Sequence, residues 1–382
     1  MIYFDNSATT AIYPQALDSY IRTSQRIIGN PSSLHYLGSQ SYRLLSQARS
    51  QVADTLDVSP EEIFFTSGGT EGDNWVMKGT AIEKRQFGKH ILLSQIEHPA
   101  VYETANQLSS LGFEVEFIPV DARGFVILED FKRLLRKDTI LVSVMAVNNE
   151  IGSIQPIREI GEILKDYPTI HFHVDAVQAI GKIPFVDYIT DRVDFAVFSG
   201  HKFHAPRGVG FIYAKKGRRI APLLTGGGQE MNKRSSTENV PAIVSMAKAL
   251  RLYMEKNQEK EAYKSRIRDY LIQALSGYGE IRLFTEANEN FAPHILTFGI
   301  RGVRGEVLVH ALEEKEIITS TTSACSSKKV DSSSTLFSMG VKKEVAQTAI
   351  RLSLDVENTM AEAEEFMVVL NHLLKKFEKI NR

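Results

Sequence analysis

The sequence predicts an α/β fold built on a mostly parallel sheet, and three observations lead to this prediction. Short β-rich runs alternate with helical patterns between about residues 60 and 215. Several runs, among them residues 140–146, are apolar on both faces, which is typical of strands covered by helices above and below. The spacers between the runs are long enough for the helical crossovers that join parallel strands.

The strand candidates come first along the chain and are followed by a long helix. The candidate strands are residues 63–65, 90–94, 115–118, 140–146, 170–174, 194–198 and 210–213. After a loop at residues 226–239, apolar side chains recur at helical spacing from Val240 to Met254. The remainder contains a strand candidate at residues 294–298, a helix that opens near Gly305 and a charged helical tail, and we expect it to form a smaller α+β domain.

Composition and charge argue against several classes of protein. Of the 382 residues, 43% are apolar and 24% are charged, as in ordinary globular proteins, and the length allows two domains. A formal net charge of −1 gives no overall field that would draw the chain to nucleic acid or to an anionic membrane. The first residues lack a signal-peptide pattern, and no apolar stretch is long enough to span a bilayer. We therefore expect a cytoplasmic protein that binds neither nucleic acid nor membranes.

The chain contains a single cysteine, Cys325, which excludes an intramolecular disulfide and a cysteine-rich metal site. The thiol is therefore either inert packing or the centre of the chemistry. His171 and His173 alternate along one strand candidate and would share a face, but the sequence offers no evident third ligand. We predict that the protein holds no metal.

Polar residues follow five of the predicted strands directly. They are residues 67–71, Glu97 and His98, residues 148–150, Asp175 and Gln178, and residues 199–202. In an open parallel sheet, ligands bind beyond the carboxyl ends of the strands, so we expect these residues to meet in one cleft.

The glycine-rich stretch at residues 67–71 has two interpretations. It can be a tight turn with a helix cap, or its two glycines and two hydroxyls can leave N–H groups free to bind phosphate. The stretch has neither a Gly-Lys-Ser/Thr nor a Gly-x-Gly-x-x-Gly pattern, which argues against kinase and dinucleotide-binding folds.

Lys202 and Asp175 also have two interpretations each. Lys202 can be a solvated surface charge, or an amine that is desolvated in a cleft and forms a Schiff base with an aldehyde. Asp175 can cap a helix, or hold the proton on a pyridine nitrogen so that the ring withdraws electrons.

Short motifs occur in a fixed order along nearly the whole chain. They are DNSATT from residue 5, GNPSSLH from 29, FTSGGTEGDN from 65, EHPAV from 97, VNNEIG from 147, HVDAVQAIGK from 173, SGHKFHAPRGVG from 199, GGGQE from 226, RSSTEN from 234, SAC from 323 and IRLSL from 350. Together they resemble the class V family of pyridoxal-phosphate enzymes, and within it the NifS/IscS-type cysteine desulfurases. The order and joint presence of the motifs make the resemblance specific.

The resemblance implies the type I fold of pyridoxal-phosphate-dependent transferases. A large cofactor-binding domain would span residues 15–250, and a small α+β domain would span residues 251–382. An N-terminal arm at residues 1–14 would pack with the small domain. The small domain would also carry a loop at about residues 319–335, which contains Cys325.

The resemblance further implies a pyridoxal 5'-phosphate cofactor and the residues that hold it. Lys202 would form the covalent link, Asp175 would pair with the ring nitrogen, Gln178 would donate to the ring hydroxyl, and His98 would stack on the ring. The phosphate would be held by Gly69, Thr70, Ser199 and His201, and by Thr237 from the neighbouring subunit. The resemblance therefore implies a homodimer.

The same family implies how the substrate, L-cysteine, would be bound and cleaved. Asn149, which would also contact the cofactor, and Arg351 would hold the substrate carboxylate, the latter through its two-pronged guanidinium. Cys325 would take the sulfur as a persulfide and leave L-alanine. Lys328 and Thr322 are close by: the lysine favours a thiolate, whereas the threonine stands where the family often has glycine.

The long loop and the short C-terminal tail bear on the sulfur acceptor. The chain ends at Arg382 without the longer tail with which some members dock an iron–sulfur scaffold. A transfer RNA thiolation enzyme is therefore at least as good a candidate acceptor as the scaffold.

Three other functions remain open at this point. The chain could be a pyridoxal-phosphate aminotransferase, or a selenocysteine lyase, for which Cys325 is not obligatory. It could also be a non-catalytic α/β protein that binds an anion and partners, in which case it would be colourless.

Overall fold

The computed structural model describes residues 1–322 and 335–380. The strands in these residues are β1 (Ile2–Tyr3), β2 (Ile63–Thr66), β3 (His90–Ser94), β4 (Glu114–Ile118), β5 (Thr139–Ser143), β6 (His171–Asp175), β7 (Phe195–Ser199), β8 (Gly210–Ala214), β9 (Ile281–Leu283), β10 (Ile295–Ile300), β11 (Ile317–Ile318), β12 (Ser320–Thr321) and β13 (Ala349–Ser353). The helices are α1 (Pro14–Arg26), α2 (Tyr36–Thr55), α3 (Gly69–Lys84), α4 (Pro99–Ser110), α5 (Leu128–Leu134), α6 (Ile157–Leu164), α7 (Gln229–Asn232), α8 (Val240–Ser276), α9 (Gly305–Glu313), α10 (Thr335–Ser338), α11 (Lys343–Ala346) and α12 (Met360–Ile380).

The large sheet has the strand order β2-β8-β7-β6-β5-β3-β4. Strand β8 runs antiparallel to both of its neighbours, and every other neighbouring pair is parallel. The predicted α/β class with a mostly parallel sheet is therefore confirmed. A Cβ on Gly210, where β8 begins, would lie 2.5 Å from the carbonyl oxygen of Phe198 and 2.8 Å from Cα of Gly68. Only glycine allows β8 to pass this close to the start of α3.

Both faces of the large sheet are covered by helices, as its apolar strands require. On β3, Ile91 and Leu93 pack in one cluster with Met77 of α3. Leu92 points the other way and joins the main core, to which α2 and α8 contribute Val52 and Leu250 among others. This alternation follows from the two-residue period of a strand. No helix in the described ranges is both long enough and apolar enough to cross a bilayer.

A second core lies around the antiparallel sheet β12-β13-β10-β9. It includes Leu271 of α8, Phe298 of β10 and Phe366 of α12. Helix α8 contributes to both cores, because Leu250 is buried in the first and Leu271 in the second. The long helix therefore joins the two parts of the protein.

The N-terminal residues run between the two cores. Strand β1 pairs in parallel with β11, and Phe4 is fully buried in the second core. Further along, the backbone N–H of Ser7 donates to Oγ of Ser353 over 2.8 Å, and that of Thr10 donates to the carbonyl oxygen of His201 over 3.0 Å. Residues 5–10 are thus held against β13 on one side and the end of β7 on the other.

Candidate active site

Three strands of the large sheet deliver His98, Asp175 and Lys202 to one place. Asp175 is the last residue of β6 and is buried, His98 precedes α4 after β3, and Lys202 ends a 3-10 turn that follows β7. The charges of Asp175 and Lys202 act in opposite directions on the pKa of His98, which burial lowers. These mutual effects require the three side chains to lie close together.

His98 is held as a neutral imidazole. Its Nδ1 accepts a hydrogen bond from the backbone N–H of Ala100 over 3.1 Å, so the side chain caps α4. Because burial lowers the pKa of His98 below its usual value, the ring is neutral at pH 7 and carries its proton on Nε2. The site therefore contains an imidazole that can donate a hydrogen bond or a proton from Nε2.

Asp175 lies in a cluster of buried carboxyl groups. Burial raises the pKa of Asp175, while the neighbouring His98 and Lys202 oppose that shift. The pKa values of Asp73 and Glu97 are raised further, mainly by burial and partly by the charge of Asp175, and that of Glu97 reaches about 8. At neutral pH Glu97 is therefore protonated for most of the time and the neutral form of Asp73 is favoured, whereas a cation beside Asp175 would favour ionisation there.

Glu97 also links two strand ends. One of its carboxyl oxygens accepts the hydroxyl of Ser94 and the backbone N–H of Met145, the latter over 2.8 Å. Glu97 was expected in the cleft from its place beside His98, but without a chemical task, and Asp73 was not predicted as a site residue.

The amine of Lys202 reaches the N-terminal segment. It donates to the carbonyl oxygens of Ser7 and Ala8, the second over 2.8 Å. The carbonyl oxygen of Ser7 also accepts the side-chain amide of Gln178 over 3.0 Å. Ser7 therefore connects two of the predicted site residues, and nothing in the local sequence indicates this contact.

A candidate anion cradle lies at the start of α3. Gly68 has a φ of +155°, and a Cβ on Gly69 would lie 2.9 Å from Val177 and 3.5 Å from Cβ of Ser199. Only a glycine at position 69 leaves this space open. The helix that Gly69 and Thr70 begin is 16 residues long and has no side-chain cap, so its first N–H groups can bind an anion.

His201 lies at the same end of β7 as Ser199. Its Nδ1 is 3.2 Å from the hydroxyl of Thr9. Burial, with a smaller effect of Lys202, lowers the pKa of His201 to about 4, so this imidazole is neutral. It can serve an anion as a hydrogen-bond donor rather than as a charge.

Arg351 of β13 is buried and lies against the N-terminal segment. Its Nη1 donates to the backbone carbonyl of Asn149 over 2.8 Å, and its Nη2 donates to Oδ1 of Asp5 over 3.0 Å. Its Nε is buried and lacks a hydrogen-bond partner within the described residues. One edge of the guanidinium therefore remains able to take a carboxylate.

Cys325 lies outside the described residues, but both ends of its segment are held near Arg351. On the N-terminal side, Ser320 of β12 pairs with Arg351 of β13. On the C-terminal side, the backbone N–H of Thr335 donates to Glu150 over 3.2 Å, and the hydroxyl of Thr335 accepts the amide of Asn148 over 2.9 Å. The described residues that flank Cys325 in the sequence therefore contact Arg351 on one side and the two neighbours of Asn149 on the other.

Thr237 is exposed on the loop at residues 226–239. That loop is anchored by Glu230, which is buried and takes both terminal nitrogens of Arg49, at 2.6 and 2.8 Å. Arg234 of the same loop pairs with Glu71 in the first turn of α3 over 2.7 Å. The loop is therefore tied to the cradle helix, and Thr237 is exposed to solvent in the single chain.

The two histidines of β6 belong to the packing beneath the sheet. Nδ1 of His171 lies 2.9 Å from the hydroxyl of Thr80, and Nδ1 of His173 lies 2.8 Å from that of Ser143. Burial lowers the pKa of His171 to about 2 and that of His173 to about 3. Within residues 1–322 and 335–380, no group of three or more potential ligands is arranged to hold a metal ion.

The site residues fit the pyridoxal phosphate that the sequence motifs imply. Lys202 supplies an amine and Asp175 a buried carboxyl group for a ring nitrogen. The open space at Gly69 and the uncapped start of α3 suit a phosphate group. Nε of Arg351, which lacks a hydrogen-bond partner in the described part of the chain, suits the carboxylate of an amino acid substrate.

Comparison with known proteins agrees with this chemistry. Residues 2–366 match the family described as aminotransferase class-V. A NifS/IcsS protein homolog of Lactobacillus delbrueckii subsp. bulgaricus is 53% identical and covers 100% of this chain and 99% of its own length. The cysteine desulfurase IscS of Methanosarcina thermophila is 41% identical over 100% of this chain and 93% of its own.

Solved structures give the same result. A NifS-like protein superposes with a TM-score of 0.91 at 40% identity, and the alignment covers 98% of this chain and 99% of that one. Both sequence and fold therefore match over essentially the full length. The chain belongs to the aminotransferase class-V family, among its NifS/IscS-like cysteine desulfurases.

Proposed function

We propose that the chain is a cysteine desulfurase, which converts L-cysteine to L-alanine with pyridoxal phosphate and carries the sulfur as a persulfide on Cys325. The observation that carries this proposal is the anchoring of the Cys325 segment beside Arg351 and Glu150. Cys325 is the fourth residue after Thr321, so their Cα atoms are at most about 14 Å apart. The thiol is therefore tethered within a short distance of the residue that would hold the substrate.

Each predicted site residue has a chemical task in this proposal. Pyridoxal phosphate, when bound, supplies an aldehyde for the substrate amine and a ring that draws electrons from the substrate. Arg351 orients the substrate through its carboxylate, with Asn149 beside it. Lys202 is the amine that would hold the aldehyde and move a proton at the substrate Cα, and His98 can donate the proton on Nε2.

The remaining tasks concern charge and sulfur. Asp175 would hold a proton on the ring nitrogen, and Gln178 would donate to the ring hydroxyl. The start of α3 with Gly69 and Thr70, together with Ser199 and His201, would bind the phosphate. The Cys325 thiolate would form an S–S bond to the substrate sulfur as the bond between that sulfur and the substrate Cβ breaks.

We further propose that the protein is a homodimer. Its support is an apolar surface at the GNPSSLH motif, where Ile28 is 75%, Leu34 102% and Tyr36 73% exposed. A second copy would cover these side chains, and its Thr237 would complete the phosphate site. Sedimentation should give twice the chain mass, and Leu34→Glu should shift the protein to monomers.

The proposed sulfur acceptor is a transfer RNA thiolation enzyme or an iron–sulfur scaffold in the cytoplasm. The test is to incubate the protein with L-cysteine and a thiol reductant, which reduces the persulfide to the Cys325 thiol and sulfide, and to measure L-alanine and sulfide with and without each acceptor. We expect L-alanine and reduced sulfur in equal amounts, and faster turnover with the true acceptor.

Amino-group transfer without sulfur release would support an aminotransferase instead, and activity confined to selenocysteine would support a lyase. A colourless protein that takes up no cofactor would support the anion-binding alternative.

Asp175→Asn should bind the cofactor and turn over slowly. The asparagine keeps the size of the side chain but loses the charge that holds the ring proton, so we expect L-alanine formation to fall by about 100-fold, or roughly 3 kcal/mol. Asp73→Asn is the matched control: Asp73 is also buried, and burial raises its pKa well above the usual value, which favours the neutral form that an amide resembles, so this substitution should cost less than about threefold. Equal rates for wild type and Asp175→Asn would contradict the assignment.

A further inference from the structure

A buried lysine, Lys182, lies behind the candidate cofactor site and has no task in the proposed function. Its side chain is 3% exposed. Its amine donates to Oε1 of Gln178 over 3.2 Å, and Nε2 of His294 lies 3.4 Å from the same oxygen. The other end of the Gln178 amide, Nε2, donates to the carbonyl oxygen of Ser7 over 3.0 Å.

The two ends of the Gln178 amide therefore face different surroundings. The oxygen end faces Lys182 and His294, while the nitrogen end faces Ser7, whose carbonyl oxygen also receives the amine of Lys202. The nitrogen end is thus the one on the side of the reactive lysine. An amide turned by 180° would present an acceptor there instead, with little change in shape.

We infer that Lys182 is a positioning residue, which holds the amide of Gln178 so that its N–H groups face the cofactor ring. The inference rests on the proposed function, in which Gln178 donates to the ring hydroxyl. It adds the reason why Gln178 acts as a donor and not as an acceptor.

The protonation state of Lys182 does not undo this arrangement. The pKa of Lys182 is lowered to about 7, chiefly by burial and to a smaller extent by the nearby Lys202, Lys264 and Arg351, whereas Asp355 opposes the shift. An amine has N–H groups to donate with or without its extra proton. The amide of Gln178 is therefore held on both sides of pH 7.

Loss of the positioned donor has a spectroscopic consequence. A hydrogen bond donated to the ring oxygen favours the ionised oxygen and so lowers the pH at which the lysine-bound cofactor loses its proton and changes colour. Without the donor, that midpoint should rise by about 0.5 to 1 pH unit, as expected for one hydrogen bond.

The experiment is a pH titration of the visible absorbance of the holoenzyme. Lys182→Met and Lys182→Leu both remove the donor, and each should raise the midpoint by that amount. Lys264→Met is the matched control, because Lys264 is also buried, at 1% exposure, but donates to Asn257 over 2.7 Å. Lys264→Met also removes a buried positive charge, but it leaves the contact with Gln178 in place. We therefore expect it to raise the midpoint by less than half as much as the Lys182 variants do.

A second arm repeats Lys182→Met in a Gln178→Ala background. If Lys182 acts through Gln178, the substitution should then move the midpoint by less than about 0.2 unit, because coupled residues are not additive. An unchanged midpoint in the single variants, an equal shift in Lys264→Met, or a full shift in the Gln178→Ala background would each overturn the inference. The readout needs no turnover, so a protein that binds the cofactor but releases neither L-alanine nor sulfide would contradict the proposed function alone.

Discussion

Lys202→Ala is expected to abolish the turnover of L-cysteine and the covalent attachment of pyridoxal phosphate. The variant loses both the amine for the cofactor aldehyde and the base that moves the substrate proton. Such proton transfers alone contribute about 100-fold to 10,000-fold, so the rate should fall by at least about 10,000-fold. Lys202 donates to the backbone carbonyls of Ser7 and Ala8 and belongs to neither apolar core, so we expect the variant to keep its fold.

The attachment point can be identified directly. Borohydride reduction of the wild-type holoenzyme should fix the cofactor to one peptide, and mass spectrometry should find it on Lys202. The sharpest rival within the structure is Lys182, whose pKa is lowered to about 7 by burial and which therefore has a reactive, uncharged fraction at neutral pH. Cofactor fixed to Lys182, or normal absorbance in Lys202→Ala, would contradict the assignment.

Patterning along the sequence predicted the large sheet well, because its strands are apolar on both faces. The candidate at residues 140–146 was too long, since β5 ends at Ser143. Beyond that residue, the backbone N–H of Met145 donates to Glu97 and not to β3, so the ladder between the two strands stops. Here the carboxyl group of Glu97 takes the place of a backbone carbonyl of β3. Such a contact depends on the tertiary structure, so the alternation of apolar residues along the sequence does not reveal it.

The antiparallel direction of β8 was also beyond the sequence pattern. Its residues are as buried as those of the parallel strands β5, β6 and β7, so composition does not set it apart; what differs is the close approach of Gly210 to Gly68. Strand direction depends on the route of the connecting loop rather than on strand composition.

Some parts of the candidate site were likewise predictable from the sequence and others were not. The positions of His98, Asp175 and Lys202 follow from strand ends and are visible in the sequence. The contacts of Asp5 with Arg351 and of Ser7 with Lys202 join residues that are 346 and 195 positions apart. They arise because the N-terminal segment lies between the two cores, and no local motif encodes that placement.

Cys325→Ala should separate cofactor chemistry from sulfur transfer. The residues expected to hold the cofactor lie at or after the ends of β2, β3, β5, β6 and β7 and, for Thr237, on the loop at residues 226–239, and Cys325 is not among them. L-cysteine should therefore still change the visible spectrum of the variant, with a dissociation constant close to that of wild type. Release of L-alanine and sulfide should stop, because the nucleophile is gone and the chain has no second cysteine to replace it.

The wild-type protein provides the complementary measurement. With sulfur-labelled L-cysteine, one label per chain should remain on the protein in a form that thiols reduce, and peptide mapping should place it at Cys325. Cys325→Ser is the control for packing, since a hydroxyl of similar size fills the same volume but is a far weaker nucleophile at neutral pH. If either variant released L-alanine and sulfide at the wild-type rate, the persulfide route would be wrong, and the protein would be a pyridoxal-phosphate lyase that needs no cysteine of its own.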